Sequence, residues 1–155
     1  MRICFLILLS LLVFSVGNCF AVEPKMPGKK DRCPVCGMFV APYADWVATI
    51  MYKDHSQLFF DGPKDLFRYY YSLPSKEDSH RRDDIEAIYL TEYYSTRLML
   101  VEQLYLVNGS HVHGPMGHEI IPIDGEDAAK TFAKDHNGKK IITIEQLSPE
   151  LLQSE

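Results

Sequence analysis

From residue 46 onward the chain alternates short runs of β-branched and aromatic residues with polar breaks. Residues 46–52 (WVATIMY) and 57–60 (QLFF) flank the polar Lys53-Asp54-His55-Ser56, the pattern of two strands joined as a hairpin. Asp61-Gly62-Pro63 stops the second strand. Pro63 stands where a first helical residue belongs, and Leu66, Phe67, Tyr70 and Leu73 share one helical face, so the spacing predicts a helix over 63–73. Residues 74–84 (PSKEDSHRRDD) are too polar to bury and read as a surface loop, after which 85–90 (IEAIYL) resume strand character.

The second half follows the same order. Residues 102–107 (EQLYLV) read as a strand, Asn108-Gly109-Ser110 as a turn, and 118–123 (HEIIPI) as a strand whose Pro122 favours a sheet edge. Asp124-Gly125 opens a helix with Ala128, Ala129 and Phe132 on one face. Gly138 ends it before a strand at 140–144. The matching Asp-Gly pairs at 61 and 124 predict an α+β fold: two similar β-β-α-β units in one compact domain with mainly antiparallel sheets.

Two segments of different character precede this pattern. Residues 3–16 are an apolar run behind Arg2, too short to span a bilayer, and Cys19-Phe20-Ala21 sets small residues where a signal peptidase reads. Residues 1–21 are therefore expected to be a signal peptide cleaved after Ala21, making the protein periplasmic or otherwise extracytoplasmic. The rival is a lipoprotein attached to the membrane through Cys19, against which stands the size of Asn18. Residues 22–32, with two prolines, Gly28 and several charges, read as a flexible lead-in; 33–147 form the domain and 148–155 a tail.

Composition narrows the function. The chain has 155 residues, 46% of them hydrophobic, enough for one core without external staples. Cleavage removes Arg2 alone among the charges, leaving 15 basic against 21 acidic residues, a net charge of −6 that argues against nucleic acid. It also removes Cys4 and Cys19. Cys33 and Cys36 remain, too few for a disulfide scaffold.

Those two thiols lie in Cys33-Pro34-Val35-Cys36-Gly37-Met38, where a C-x-x-C turn lets both converge on one ion or on each other and Gly37 relaxes the backbone beside Met38. A second cluster, residues 111–118 (HVHGPMGH), packs His111, His113, His118 and Met116 around two glycines and a proline. Thiolate and thioether sulfurs select Cu(I), whereas a structural zinc site makes no use of methionine. Cys33, Cys36, Met38, His113, Met116 and His118 are thus the candidate ligands of one Cu(I) ion.

CPVCGM, FFDGPKDLFRYY, IYLTEYYS and GPMGHEIIPI together resemble the NosL family, the accessory proteins of nitrous oxide reductase, over roughly residues 33–147. The resemblance implies an exported chaperone that binds one Cu(I) and delivers it to an apo-cuproenzyme, with nitrous oxide reductase as client, on a fold of two related β-β-α-β units. Carried over by residue, the thiol of the C-G-M element falls on Cys36 and the methionine of the P-M-G element on Met116, with a histidine as third donor.

Other readings stay open at this stage. Cys33 and Cys36 also fit a resting disulfide, a structural zinc site completed by two histidines of residues 111–118, or a thiol-dependent redox or organometal enzyme. Met38 also fits core packing beside Phe39 and Val40. His55 and His80 read as solvated, and His136 as a favourable charge at a helix carboxyl end. Tyr69, Tyr70, Tyr71, Tyr93 and Tyr94 exceed what one buried stripe uses and are expected in part on a partner-facing surface. No nucleophile elbow, phosphate-cradling loop or flanking carboxylate pair points to catalysis.

Overall fold

The structure, a computed structural model, describes residues 23–73 and 80–152. The apolar leader, the cleavage point and Cys19 lie outside the described residues, as do positions 74–79 of the polar loop and the last three residues.

Strand β1 (Ala48–Tyr52) pairs antiparallel with β2 (Gln57–Phe60) on one side and with β3 (Ile85–Thr91) on the other, and helix α1 (Pro63–Ser72) connects β2 to β3. A short β4 (Leu98–Leu100) extends this sheet beyond β3. In the second half β5 (Leu104–Asn108) is the central strand. It pairs antiparallel with β8 (Ile121–Asp124) and with β9 (Lys140–Ile142), and α2 (Glu126–Asp135) joins the latter two. In both units the first strand lies between the second and the one that follows the helix, so the β-β-α-β order occurs twice with one topology.

Between β5 and β8 the chain makes a small hairpin, β6 (His113–Gly114) with β7 (Gly117–His118), in which His113 faces His118 and Gly114 faces Gly117. The run at 118–123 is therefore two strands rather than one. Residues 102–103 belong to a 3-10 turn (Val101–Gln103), and Trp46 ends another (Ala41–Trp46), so β5 and β1 start later than the patterning suggests. Pro42 in that turn's first positions favours helical geometry over the β-propensity of Trp46 and Val47.

Period-two alternation along β5 divides the interior. Leu104 and Leu106 join the larger core with Ala48, Ile50 and Tyr52 of β1, Phe60 of β2, and Leu66 and Phe67 of α1. Val107, on the opposite face, packs with Ile121, Ile123, Ala129 and Phe132 under α2. The second sheet thus covers one face with its own helix and the other with the first unit. The tail region contributes too: Leu152 is buried in the larger core and Asn108 Nδ2 donates to the Leu151 carbonyl at 3.1 Å. Upstream, Lys25 N–H donates to Gln57 Oε1 at 3.0 Å, and Arg32 bridges to Phe39.

Candidate metal centre

The C-x-x-C segment closes on itself before it meets anything else. Cys33 N–H donates to the Met38 carbonyl and Gly37 N–H to the Cys33 carbonyl, both at 2.9 Å. Gly37 takes φ +77°, the left-handed conformation that closes this turn and suits glycine. Arg32 Nη1 donates to the Gly37 carbonyl at 2.8 Å, while its guanidinium lies 3.7 Å above the Phe39 ring. The loop presents Cys33 inward, 1% exposed, and leaves Cys36 half-buried. Both are free thiols.

Opposite them stands the start of α1. Asp61 precedes Gly62 at the cap, and Asp65 lies in the first turn, where a carboxylate is favoured by the helix amino terminus. Both aspartates are buried. Cys33 Sγ donates to Asp65 Oδ2 at 3.5 Å, and Cys36 Sγ lies 3.4 Å from Asp61 Oδ1. One ligand atom from each of Cys33, Cys36, Asp61 and Asp65 falls within 4.8 Å of all the others. Arg68 Nη1 donates to Asp65 Oδ1 at 3.1 Å and balances part of this negative charge. Burial pushes both thiols above the ordinary cysteine range, Cys33 further, and the neighbouring Asp61 pushes in the same direction.

The histidine hairpin reaches this cradle through Glu119. Its Oε1 accepts from Lys64 N–H at 2.6 Å and from Ile120 N–H at 2.9 Å, and Lys64 Nζ donates to the His118 carbonyl at 3.1 Å. The carboxyl occupies a slot bounded by two glycines. A Cβ at Gly62 would overlap Glu119 Oε2, and one at Gly114 would lie 3.1 Å from Glu119 Cγ. Burial pushes Glu119 up to about 8, against the opposing pull of the Ile120 and Lys64 N–H donors and the Lys64 charge.

Gly62 has an extended backbone, φ −169° and ψ 161°, so only this close approach restricts the position. Gly62→Ala is expected to destabilise the fold by about 1–3 kcal/mol, because the obstructing carboxyl is buried and doubly hydrogen-bonded. In urea unfolding the double variant Gly62→Ala/Glu119→Ala should cost less than the sum of the singles. Strict additivity would show that the two do not compete for the same space.

Of the residues chosen from sequence, Cys33 and Cys36 meet at the cradle. Met38 supplies a turn-closing carbonyl and has a half-buried side chain. Met116 sits at the hairpin bend with 42% exposure. His113 and His118 face each other across the hairpin, with ring centroids 4.3 Å apart and planes inclined by 37°, and neither belongs to the four-group cluster. The zinc set of two thiols and two loop histidines is accordingly not assembled. Asp61, Asp65 and Glu119 were missed: Asp61 read as part of a strand stop, Asp65 fell unremarked inside the helix over 63–73, and Glu119 inside the strand-like run at 118–123. The available signals were the i, i+4 carboxylates around Gly62-Pro63 and a lone acid inside the apolar run at 118–123.

A family model for NosL matches residues 24–152, nearly the whole described chain. The chain belongs to the NosL family. Among solved structures, the copper chaperone NosL from Shewanella denitrificans is similar in fold, with a TM-score of 0.66 at 16% identity, covering 83% of this chain and 97% of that one. The solution structure of the apo-NosL protein from Achromobacter cycloclastes gives a TM-score of 0.48 at 20% identity, covering 68% of this chain and 87% of that one. No curated protein sequence matches. In NosL terms, the CPVCGM element and the start of α1 meet at the four-group cluster, and Glu119 ties the Gly-Pro-Met-Gly bend to that same helix start.

Proposed function

We propose that the protein is an exported copper chaperone that takes up one Cu(I) as cargo and passes it to a cuproenzyme, with nitrous oxide reductase as the client. The observation that carries this reading is the convergence of Cys33 and Cys36 on one point beside Asp61 and Asp65. Paired sulfurs select a soft monovalent ion. Membership of NosL and the fold shared with a copper chaperone support the same cargo. The apolar leader supports export.

The donor set suits transfer rather than permanent retention. Cys33 is enclosed, whereas Cys36 is half-buried and borders the exposed Val35. An incoming ligand from the client can thus reach the ion from the Cys36 side; Met116, exposed at the hairpin bend, is the neutral sulfur that the family resemblance assigns to the same ion. Both thiols carry protons at neutral pH, because burial holds them above their ordinary range. Cu(I) uptake must therefore release the thiol protons to solvent.

Anaerobic titration of the reduced protein against a competing Cu(I) chelator is expected to show tight one-to-one binding. Its apparent affinity should rise with pH from 6 to 8, by up to about tenfold per pH unit for each thiol proton displaced. Subsequent mixing with copper-free nitrous oxide reductase should move the copper to the enzyme. Weak binding, or affinity that ignores pH, would count against a thiolate site; retention of the copper in the presence of that enzyme would count against the client.

A further inference from the structure

Two histidines that the copper reading does not use form a pair of their own. His111 follows the turn after β5, and His136 ends α2. His111 N–H donates to the His136 carbonyl at 3.0 Å, which sets the two backbones side by side. The His136 ring is seated on Phe132, with centroids 4.4 Å apart and planes inclined by 28°. In this arrangement His136 Nδ1 stands 3.3 Å from His111 Nε2, with the rings inclined by 60°.

Two imidazole nitrogens on one tetrahedral ion adopt this separation: bonds of about 2.0–2.1 Å place them roughly 3.3–3.4 Å apart. A direct ring-to-ring hydrogen bond is the other use of such a pair, and 3.3 Å is long for one. The carboxyl end of α2 adds the negative pole of its dipole, which favours a cation there.

We infer that His111 and His136 form a second metal site, for a divalent ion of the zinc(II) or copper(II) class, held by two neutral imidazoles with solvent completing the shell. Imidazole suits these ions as sulfur pairs suit Cu(I), so the two sites select different oxidation states and hardness. Among the described residues no third His, Cys, Asp or Glu groups with the pair, which makes the site open and exchangeable. His111 lies two residues before β6, so a bound ion ties the root of the hairpin bearing Met116 to the end of α2.

The test is a zinc(II) titration of the reduced, 15N-labelled protein, followed through the imidazole ring nitrogens. The His111 and His136 rings should shift together and saturate at one zinc concentration. His111→Gln and His136→Gln should each move the response of the remaining ring to zinc concentrations about tenfold higher or more. His55→Gln should leave it unchanged. Rings that respond at separate concentrations, a ring that does not respond, or a His136 response that keeps its wild-type midpoint in His111→Gln would each overturn the assignment. Zinc taken by the thiols leaves these ring signals unmoved, so this site and the Cu(I) site can fail separately.

Discussion

Replacing Cys36 with alanine is expected to weaken Cu(I) binding on the order of a thousandfold, equivalent to about 4 kcal/mol. The variant leaves one thiolate, Cys33, to hold a soft ion beside two carboxylates that suit it poorly. Cys36 is the better thiol to remove because it is half-buried. Cys33 is 1% exposed, and its replacement would also disturb packing in the larger core. Met116→Ala should cost less, roughly tenfold to a hundredfold, since a neutral thioether at an exposed bend contributes no charge to the site. Competition titrations of both variants, with far-ultraviolet circular dichroism to confirm the fold, decide the matter. Wild-type affinity in Cys36→Ala would remove the thiol pair as the binding site.

The second large effect concerns Glu119. Its carboxyl is buried and raised to about 8, so the folded chain keeps a proton that the unfolded chain has released. Stability from this group is complete below the unfolded value near 4.5. It declines as pH rises toward about 8, by a few kcal/mol over that interval. Glutamine retains an oxygen to accept from Lys64 and Ile120 N–H and does not titrate. Glu119→Gln should therefore match the wild type near pH 5 and exceed its stability near pH 8, again by a few kcal/mol. Urea unfolding at the two pH values, read through the single tryptophan, Trp46, measures the difference. If the wild-type pH dependence persists in the variant, another group carries it.

Cys36 and Glu119 differ in how the chain marks them. Cys36 announces itself locally, because C-x-x-C spacing and a following glycine bring two thiols to one turn whatever the rest of the chain does. Glu119 has no such local mark. Burial raises its titration range, and Lys64 N–H, 55 residues away, gives it its role between hairpin and helix; both exist only once the chain has folded. The same holds for His136, which reads as a helix-end charge and pairs with His111 through a contact spanning 25 residues. The short β4 and the β6–β7 hairpin escaped the patterning because two or three residues are too few to show a period.

By itself the sequence determined the repeated β-β-α-β order, since alternation and helical spacing are local properties of consecutive residues, and it marked the thiol turn and the Gly-Pro-Met-Gly bend. Only the tertiary structure decided that Asp61 and Asp65 face the thiols, that no hairpin histidine joins that cluster, and that Glu119 ties the bend to the start of α1. The reason is physical. Which polar groups share a buried space depends on how two sheets and a helix pack, and hydrogen bonds between residues tens of positions apart leave no periodic trace in the chain.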